Sequence, residues 1–157
     1  GIDLICVDYI QLMEATYARK QNRQEQVAEI SRGLKKLAQE MKIPIIALSQ
    51  LNRSSEKTQT GRRVKRAPTM SEARESGAIE QDANIFILLH DPDVDELEGD
   101  ELKRTFKNLK DRGMKLIHVN VDKNRQGKKG WFYVAFDGDH MRFLSLSKED
   151  PNEPEQG

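Results

Sequence analysis

The chain has 157 residues, 36% hydrophobic and 33% charged, and its 26 basic and 26 acidic side chains cancel. That length supports one domain with a real core, and the charge balance by itself points to neither a nucleic-acid nor a membrane partner. A single cysteine, Cys6, excludes an internal disulfide and fits a reducing cytoplasm, and no apolar run approaches the roughly 20 residues of a membrane span.

The first element is the apolar run Leu4 to Val7, which predicts a buried strand over 3–8 with Cys6 as a small buried side chain and Asp8 at its carboxyl end. Gly1 stands directly before that strand without an initiator Met, so the chain reads as a fragment or a processed piece. From Asn22 to Met41, apolar residues fall at Val27, Ile30, Leu34, Leu37, Ala38 and Met41; spacings of three and four predict an amphipathic helix. Pro44 opens a second strand, 45–49. Arg53 to Arg66 holds six bases against one acid among Ser, Thr, Gln and Gly, the composition of a flexible basic loop. Thr69 with Glu72 resembles a capping box before a short helix over 71–76.

A third apolar strand, 85–89, follows. The next stretch, Asp91 to Glu101, carries seven acids and no base and leads into a surface helix over 100–112. Residues 115–122 alternate as a half-buried strand. Residues 131–136 and 141–146 predict a hairpin across Asp137, Gly138 and Asp139. The last ten residues, 148–157, are acidic with two prolines, which predicts a disordered tail. Strand, helix, strand, helix, strand with continuous apolar runs is the pattern of an α/β fold whose mainly parallel sheet is covered on both faces, with an antiparallel hairpin at the end.

Four places carry chemistry. In parallel sheets ligands gather at the carboxyl ends of strands. Asp8 is either an acid that caps a turn or pairs with a base, or a Walker-B-type acid that holds Mg²⁺ beside nucleotide phosphates. Gln50, after the second strand, is either an ordinary polar loop residue or a neutral sensor of a γ-phosphate. Arg74, Glu75, Ser76 and Gly77 form either a helix end with an ion pair or a loop that tracks a phosphate backbone. Residues 123–130 put four bases in eight positions, either as a solubilising turn or as cations aimed at an anion; Lys123 and Arg125, two apart, would share one face of a strand. A Ca²⁺ loop at Asp91, Asp93 and Asp95 is rejected, since positions 96 and 102 are Glu and Leu where Gly and Glu are needed. The three histidines are too far apart for a metal site by spacing. Trp131, Phe132 and Tyr133 fit cross-strand packing better than base stacking.

VDYIQLM, NRQEQVAEISRGLKKLA, IPIIALSQLNR, SEARESGAIEQDANIFILL and DKNRQGKKGWFYVAFDGDHMRF occur in this order, and the chain thereby resembles DnaB-type replicative DNA helicases over residues 1–146. The resemblance implies the C-terminal part of a RecA-like ATPase domain (1–147) in a hexameric ring, with ATP and Mg²⁺ between subunits and single-stranded DNA in the channel. It implies Asp8 as the Walker B acid on Mg²⁺, Gln50 as γ-phosphate sensor, and Lys123 and Arg125 as fingers reaching a neighbour's ATP. Arg74, Glu75 and Gly77 would grip the DNA backbone, with 53–66 lying toward the channel. Primase and a helicase loader are implied partners, and the cytoplasm the location.

Two departures stand beside it. The sequence contains no GxxxxGK[ST], and the family carries that motif and its catalytic Glu upstream of the Walker B strand, so the P-loop strand and the primase-contacting domain are missing here. Residues 92–113 look like an acidic surface insertion. A truncated non-catalytic module that binds DNA or helicase subunits, and a fragment of a RecA-like recombination ATPase, are the rival readings.

Overall fold

A computed structural model describes residues 1–14, 22–50, 57–59, 62–64, 67–68 and 77–146, the two short segments 57–59 and 62–64 by their backbone alone. The expected helix over 71–76 with its capping box, Arg74 and Glu75, and the tail 148–157 lie outside the described residues.

Strand β1 (Ile5–Val7) pairs in parallel with β2 (Ile45–Ala47), Ile5 opposite Ile45 and Val7 opposite Ala47. Helix α1 (Arg23–Met41) connects them. It starts at a capping box in which the Asn22 side chain accepts from Glu25 N–H and the Glu25 carboxylate accepts from Asn22 N–H. It ends at Lys42 in the left-handed region, φ 53°. Its buried stripe, Val27 and Ile30 with Leu34 at the edge, packs with Ile10, Ile79, Phe86 and Leu88 into the first core cluster. Of the apolar positions read from the sequence, Val27, Ile30 and Leu34 dock, while Leu37 and Met41 near the end of the helix are exposed.

Helix α2 (Gly77–Asp82) leads into β5 (Ile85–His90), after the short antiparallel pair β3 (Lys57–Gln59) and β4 (Arg62–Val64). The basic stretch expected as a plain loop thus holds a small hairpin. β5 is the edge of a four-stranded sheet, β5-β6-β7-β8, with β6 at Lys115–Asn124, β7 at Gly130–Asp137 and β8 at Arg142–Ser145. All its pairings are antiparallel. The antiparallel share therefore begins at β5–β6, earlier than the terminal hairpin alone.

Helix α3 (Asp100–Asp111) lies over the far part of this sheet, where Leu97, Leu109, Leu116 and Ala135 form a second core cluster. The segment before it is fastened by His90 Nε2 to Glu96 at 2.8 Å and by Lys115 Nζ to Asp91 at 2.9 Å. His90 also stands opposite His118 in the β5–β6 register, a closeness that sequence spacing hid. On the same face Trp131 and Tyr133 pack their rings against His118, which is the cross-strand role expected of them.

The direction of β5 follows from its contacts. The start of β1 meets the start of β2, with Ile5 N–H donating to Pro44 O at 3.2 Å. α1 runs back against both strands: Arg23 donates to Gln11 O at their carboxyl end. Farther along α1, Lys35 donates to Asn84 at the head of β5, while Leu88 joins Val27 and Ile10. β5 thus runs in the same sense as β1 and β2.

One face of these strands is bare. Ile85, Ile87, Leu89, Phe132 and Phe143 are each more than half exposed, as are Ile46 on β2 and Leu48 just beyond it. Cys6 is exposed too, which corrects the expectation of a buried thiol. The continuous apolar runs do signal strands meant for cover on both faces, but α1 and α2 cover one of them and no described element of this chain covers the other. The β2 edge facing away from β1 and the β5 edge facing away from β6 are also unpaired within the described sheets.

Candidate functional site

Asp8 stands one residue beyond β1 and is exposed. Its position is fixed from both sides. Val7 packs on the first core cluster and accepts from Leu48 N–H at 2.9 Å; Ile10, 2% exposed, starts a 3-10 turn and donates to Leu48 O at 2.9 Å. The peptide bond between Asp8 and Tyr9 is cis. A carboxylate at the end of this strand is therefore aimed at solvent, beside a backbone anchored by buried neighbours.

Gln50 arrives at the same end because β2 runs parallel to β1. Its backbone is clamped by a residue that sequence reasoning missed, Gln11. The Gln11 amide donates to Ser49 Oγ at 3.0 Å and to Gln50 O at 3.1 Å, and its Oε1 accepts from Gln50 N–H at 3.3 Å. Arg23, which also bonds Gln26 at 3.1 Å, holds Gln11 O from α1. The only available signal was a lone amide in the apolar run YIQLM. Asp8 and Gln50 thus share one end of the β1–β2 pair, and the Gln50 side chain is exposed there.

These residues suit one edge of a Mg²⁺–nucleotide site. Mg²⁺ is usually held by one or two carboxylates, with phosphates and water completing its shell. One exposed carboxylate beside Ser49 and Gln50 matches that chemistry; no cluster of three potential metal-ligating side chains occurs among the described residues. The sequence contains no GxxxxGK[ST] motif.

Lys123 and Arg125 lie elsewhere. Lys123 Nζ donates to Glu80 O at 2.5 Å and Gln81 O at 3.2 Å; Arg125 Nη2 donates to Gln81 O at 2.5 Å. Arg125 N–H donates to Asn84 O at 2.9 Å. Both cations thus meet the free carbonyls at the C-terminus of α2, a position that favours positive charge. The Lys123 ammonium is pushed below its ordinary range by partial burial first and by the adjacent Arg125 second, with Glu80 opposing. The expectation that the two share a face is met, although β6 ends at Asn124.

The two pairs sit at opposite ends of the fold. Lys35 marks the cation end of α1 and Arg23 the Asp8 end; the two are twelve positions apart, about 18 Å at the helical rise. Gly77 is the exposed first residue of α2, and no packing contact among the described residues requires glycine there.

Parallel β1–β2 with α1 crossing between them, β5 in the same sense, and an acid and an amide at the strand ends define the class: an α/β fold of the RecA-like ATPase type. Solved structures bear this out. A DnaB-like replicative helicase described with its interactions with primase aligns with TM-score 0.70 and 35% identity over 92% of this chain and 31% of that one. A second solved structure, described as an ATPase domain, aligns with TM-score 0.68 and 33% identity over 92% of this chain and 44% of that one.

The model of the DnaB-like helicase C-terminal domain matches residues 1–145, and the chain belongs to that family. It is 38% identical over 148 residues to the replicative DNA helicase DnaB of Geobacillus stearothermophilus and 39% identical over 149 residues to that of Haemophilus influenzae. These alignments cover 94% and 95% of this chain but 29% and 28% of the relatives, so the chain spans under a third of their length.

Proposed function

We propose that this chain is the Walker B, sensor and finger portion of a hexameric replicative helicase that couples ATP hydrolysis to movement on single-stranded DNA and to duplex unwinding. The observation that carries this reading is the placement of Asp8 and Gln50 at one end of the strands and of Lys123 and Arg125 at the other. Such a chain cannot close its cations on its own Asp8 side; in a ring, each subunit offers its cation end to the neighbour's nucleotide end.

Bound ATP–Mg²⁺ would supply an electrophilic γ-phosphoryl with its charge partly neutralised. Asp8 would hold the metal edge. Gln50, its backbone fixed by Gln11, orients toward the γ-phosphate or the attacking water without adding negative charge. Lys123 and Arg125 from the adjacent subunit stabilise charge on the transferring group, a contribution worth about 10³–10⁵ in rate for arginine fingers generally. Arg74, Glu75 and Gly77 are the residues this reading assigns to the DNA backbone, where contact is largely blind to sequence. Residues 92–113, expected as a surface insertion, supply Leu97 and Leu109 to the second core cluster and so belong to the packed body of the domain in this scheme. Primase and a loader act on the whole ring.

The P-loop and catalytic Glu come from sequence outside this chain, so the chain alone does not hydrolyse ATP. The unpaired edges of β2 and β5 and the bare apolar face support this: they suit a further strand between those edges and a layer over that face. A second reading, a non-catalytic module docking on helicase subunits, is favoured only by the missing phosphate-cradle motif.

The test mixes this chain with a separately made fragment carrying the P-loop half and measures ATP hydrolysis with single-stranded DNA. Activity that appears on mixing and is lost with Arg125→Ala supports the motor. Components that bind each other without activity support the docking module.

A further inference from the structure

α1 carries two polar clips that the site described above does not use. Ser31 is buried at 6% exposure beside the apolar stripe of Val27 and Ile30, and its Oγ donates to Asp82 Oδ2 at 2.7 Å. One turn on, Lys35 donates to the Asn84 side chain. Ser31 and Lys35 are four residues apart and so project from one face of α1. Asp82 and Asn84 flank the bend between α2 and β5. That bend presents the carbonyls of Glu80, Gln81 and Asn84, the three acceptors that hold Lys123 and Arg125.

A six-residue helix has little stiffness of its own, and isolated short helices are unstable in water. The carbonyls at its end keep their direction only if something rigid fixes that end. Ile79 packs the body of α2 into the core. The Ser31–Asp82 and Lys35–Asn84 bonds fix its C-terminus to the long helix α1.

We propose that Ser31 and Asp82 are positioning residues for the finger: with Lys35 and Asn84 they hold the α2 carbonyl cradle that sets where Lys123 and Arg125 point across the subunit boundary. The proposal rests on the reading of those two cations as trans-acting fingers. Its chemistry is specific. Loss of the Ser31 hydroxyl leaves the chain's own nucleotide side intact and impairs only the group it offers to its neighbour. Misplacement by about 1 Å of a group acting at the transition state costs up to about a hundredfold in rate. The loss falls on kcat with KM for ATP little changed, as for an interaction made only in the transition state.

The test uses the chain extended upstream through its P-loop half. Ser31→Ala lowers kcat about tenfold or more, and Ser31→Thr, which keeps the hydroxyl, restores most of it. Mixed rings then separate positioning from general damage. Asp8→Asn subunits have a dead site and a sound finger; Ser31→Ala subunits have a sound site and a misplaced finger. A Ser31→Ala plus Asp8→Asn mixture exceeds the mean of the two parents, as does a control mixture of Arg125→Ala with Asp8→Asn. If the control gains activity and the Ser31→Ala mixture does not, or if Ser31→Ala alone keeps the full rate, the positioning role is overturned while the finger reading stands. If neither mixture gains, the trans-acting finger itself fails and the proposal with it. Asp82→Asn, which keeps an acceptor oxygen for Ser31, serves as the second variant and retains more activity than Asp82→Ala; equal loss in both also overturns the role.

Discussion

At the scale of the residue, the clearest case is a carboxylate outside the candidate site. Asp137 is buried and accepts from His140 N–H at 3.3 Å, His140 Nδ1 at 2.8 Å and Arg142 Nε at 3.2 Å. Burial alone would raise its pKa, but the hydrogen bonds from His140 and Arg142 prevail and hold it below the ordinary carboxylate range. A depressed folded-state pKa stabilises the fold at pH above the unfolded value, about 3.9, and that stability is lost as pH falls through the folded value. A melting series from pH 7 to pH 2 is therefore expected to show a steeper acid fall for the native chain than for Asp137→Asn, which removes the titration. Parallel curves would show that the carboxylate contributes nothing. Gln11 is the second residue to test. Gln11→Leu keeps the size but removes the clamp on Gln50, and should lower ATP turnover in the extended protein without weakening α1.

At the scale of the element, α1 was the most legible part of the sequence, because Val27, Ile30 and Leu34 sit at helical spacing and dock as one stripe. Its ends give opposite predictions. Asn22→Ala removes the capping box and should cost about 1 kcal/mol, read as a lower urea midpoint. Lys42 occupies a left-handed position where glycine is unstrained, so Lys42→Gly should raise stability by up to about 1 kcal/mol. The strands were legible as apolar runs. What stayed hidden has a physical cause in each case. The cradle around Lys123 and Arg125 is made of main-chain carbonyls, which every residue carries and no side-chain pattern marks. The Gln11 clamp joins residues thirty-nine apart. The β3–β4 pair sits in a stretch whose composition says loop. Cys6 looked buried because its run is apolar; the run reports what the strand is built to contact, and that contact is not made by the described elements of this chain.

At the scale of the whole molecule, the bare face and the open edges of β2 and β5 are one feature. A row of half-exposed Ile, Leu and Phe beside unpaired backbone is a template for association. The isolated chain is expected to self-associate or to melt low. Ile87→Lys and Leu89→Lys together, both on the open face, should reduce that association in sedimentation without loosening the α1 side. A cooperative monomer melting above about 55 °C, within the mesophile range, would contradict this expectation. No helix among the described residues is long and apolar enough to cross a membrane. The feature bears on the proposed function as well: in that scheme a layer over the bare face would complete the nucleotide side at Asp8 and Gln50, and leave the cation end free for a neighbour.

The central claim is that Asp8 and Arg125 of one chain serve two different ATP sites, and mixed rings test it most directly. In the chain extended through its P-loop half, Asp8→Asn and Arg125→Ala are each expected to abolish DNA-stimulated ATP hydrolysis. Mixed in equal amounts, they should regain a substantial part of it, because some interfaces then join an intact Asp8 to an intact Arg125. A mixture as inactive as its parents, in rings shown to contain both variants, would contradict the claim and place the two residues in a single site or outside catalysis.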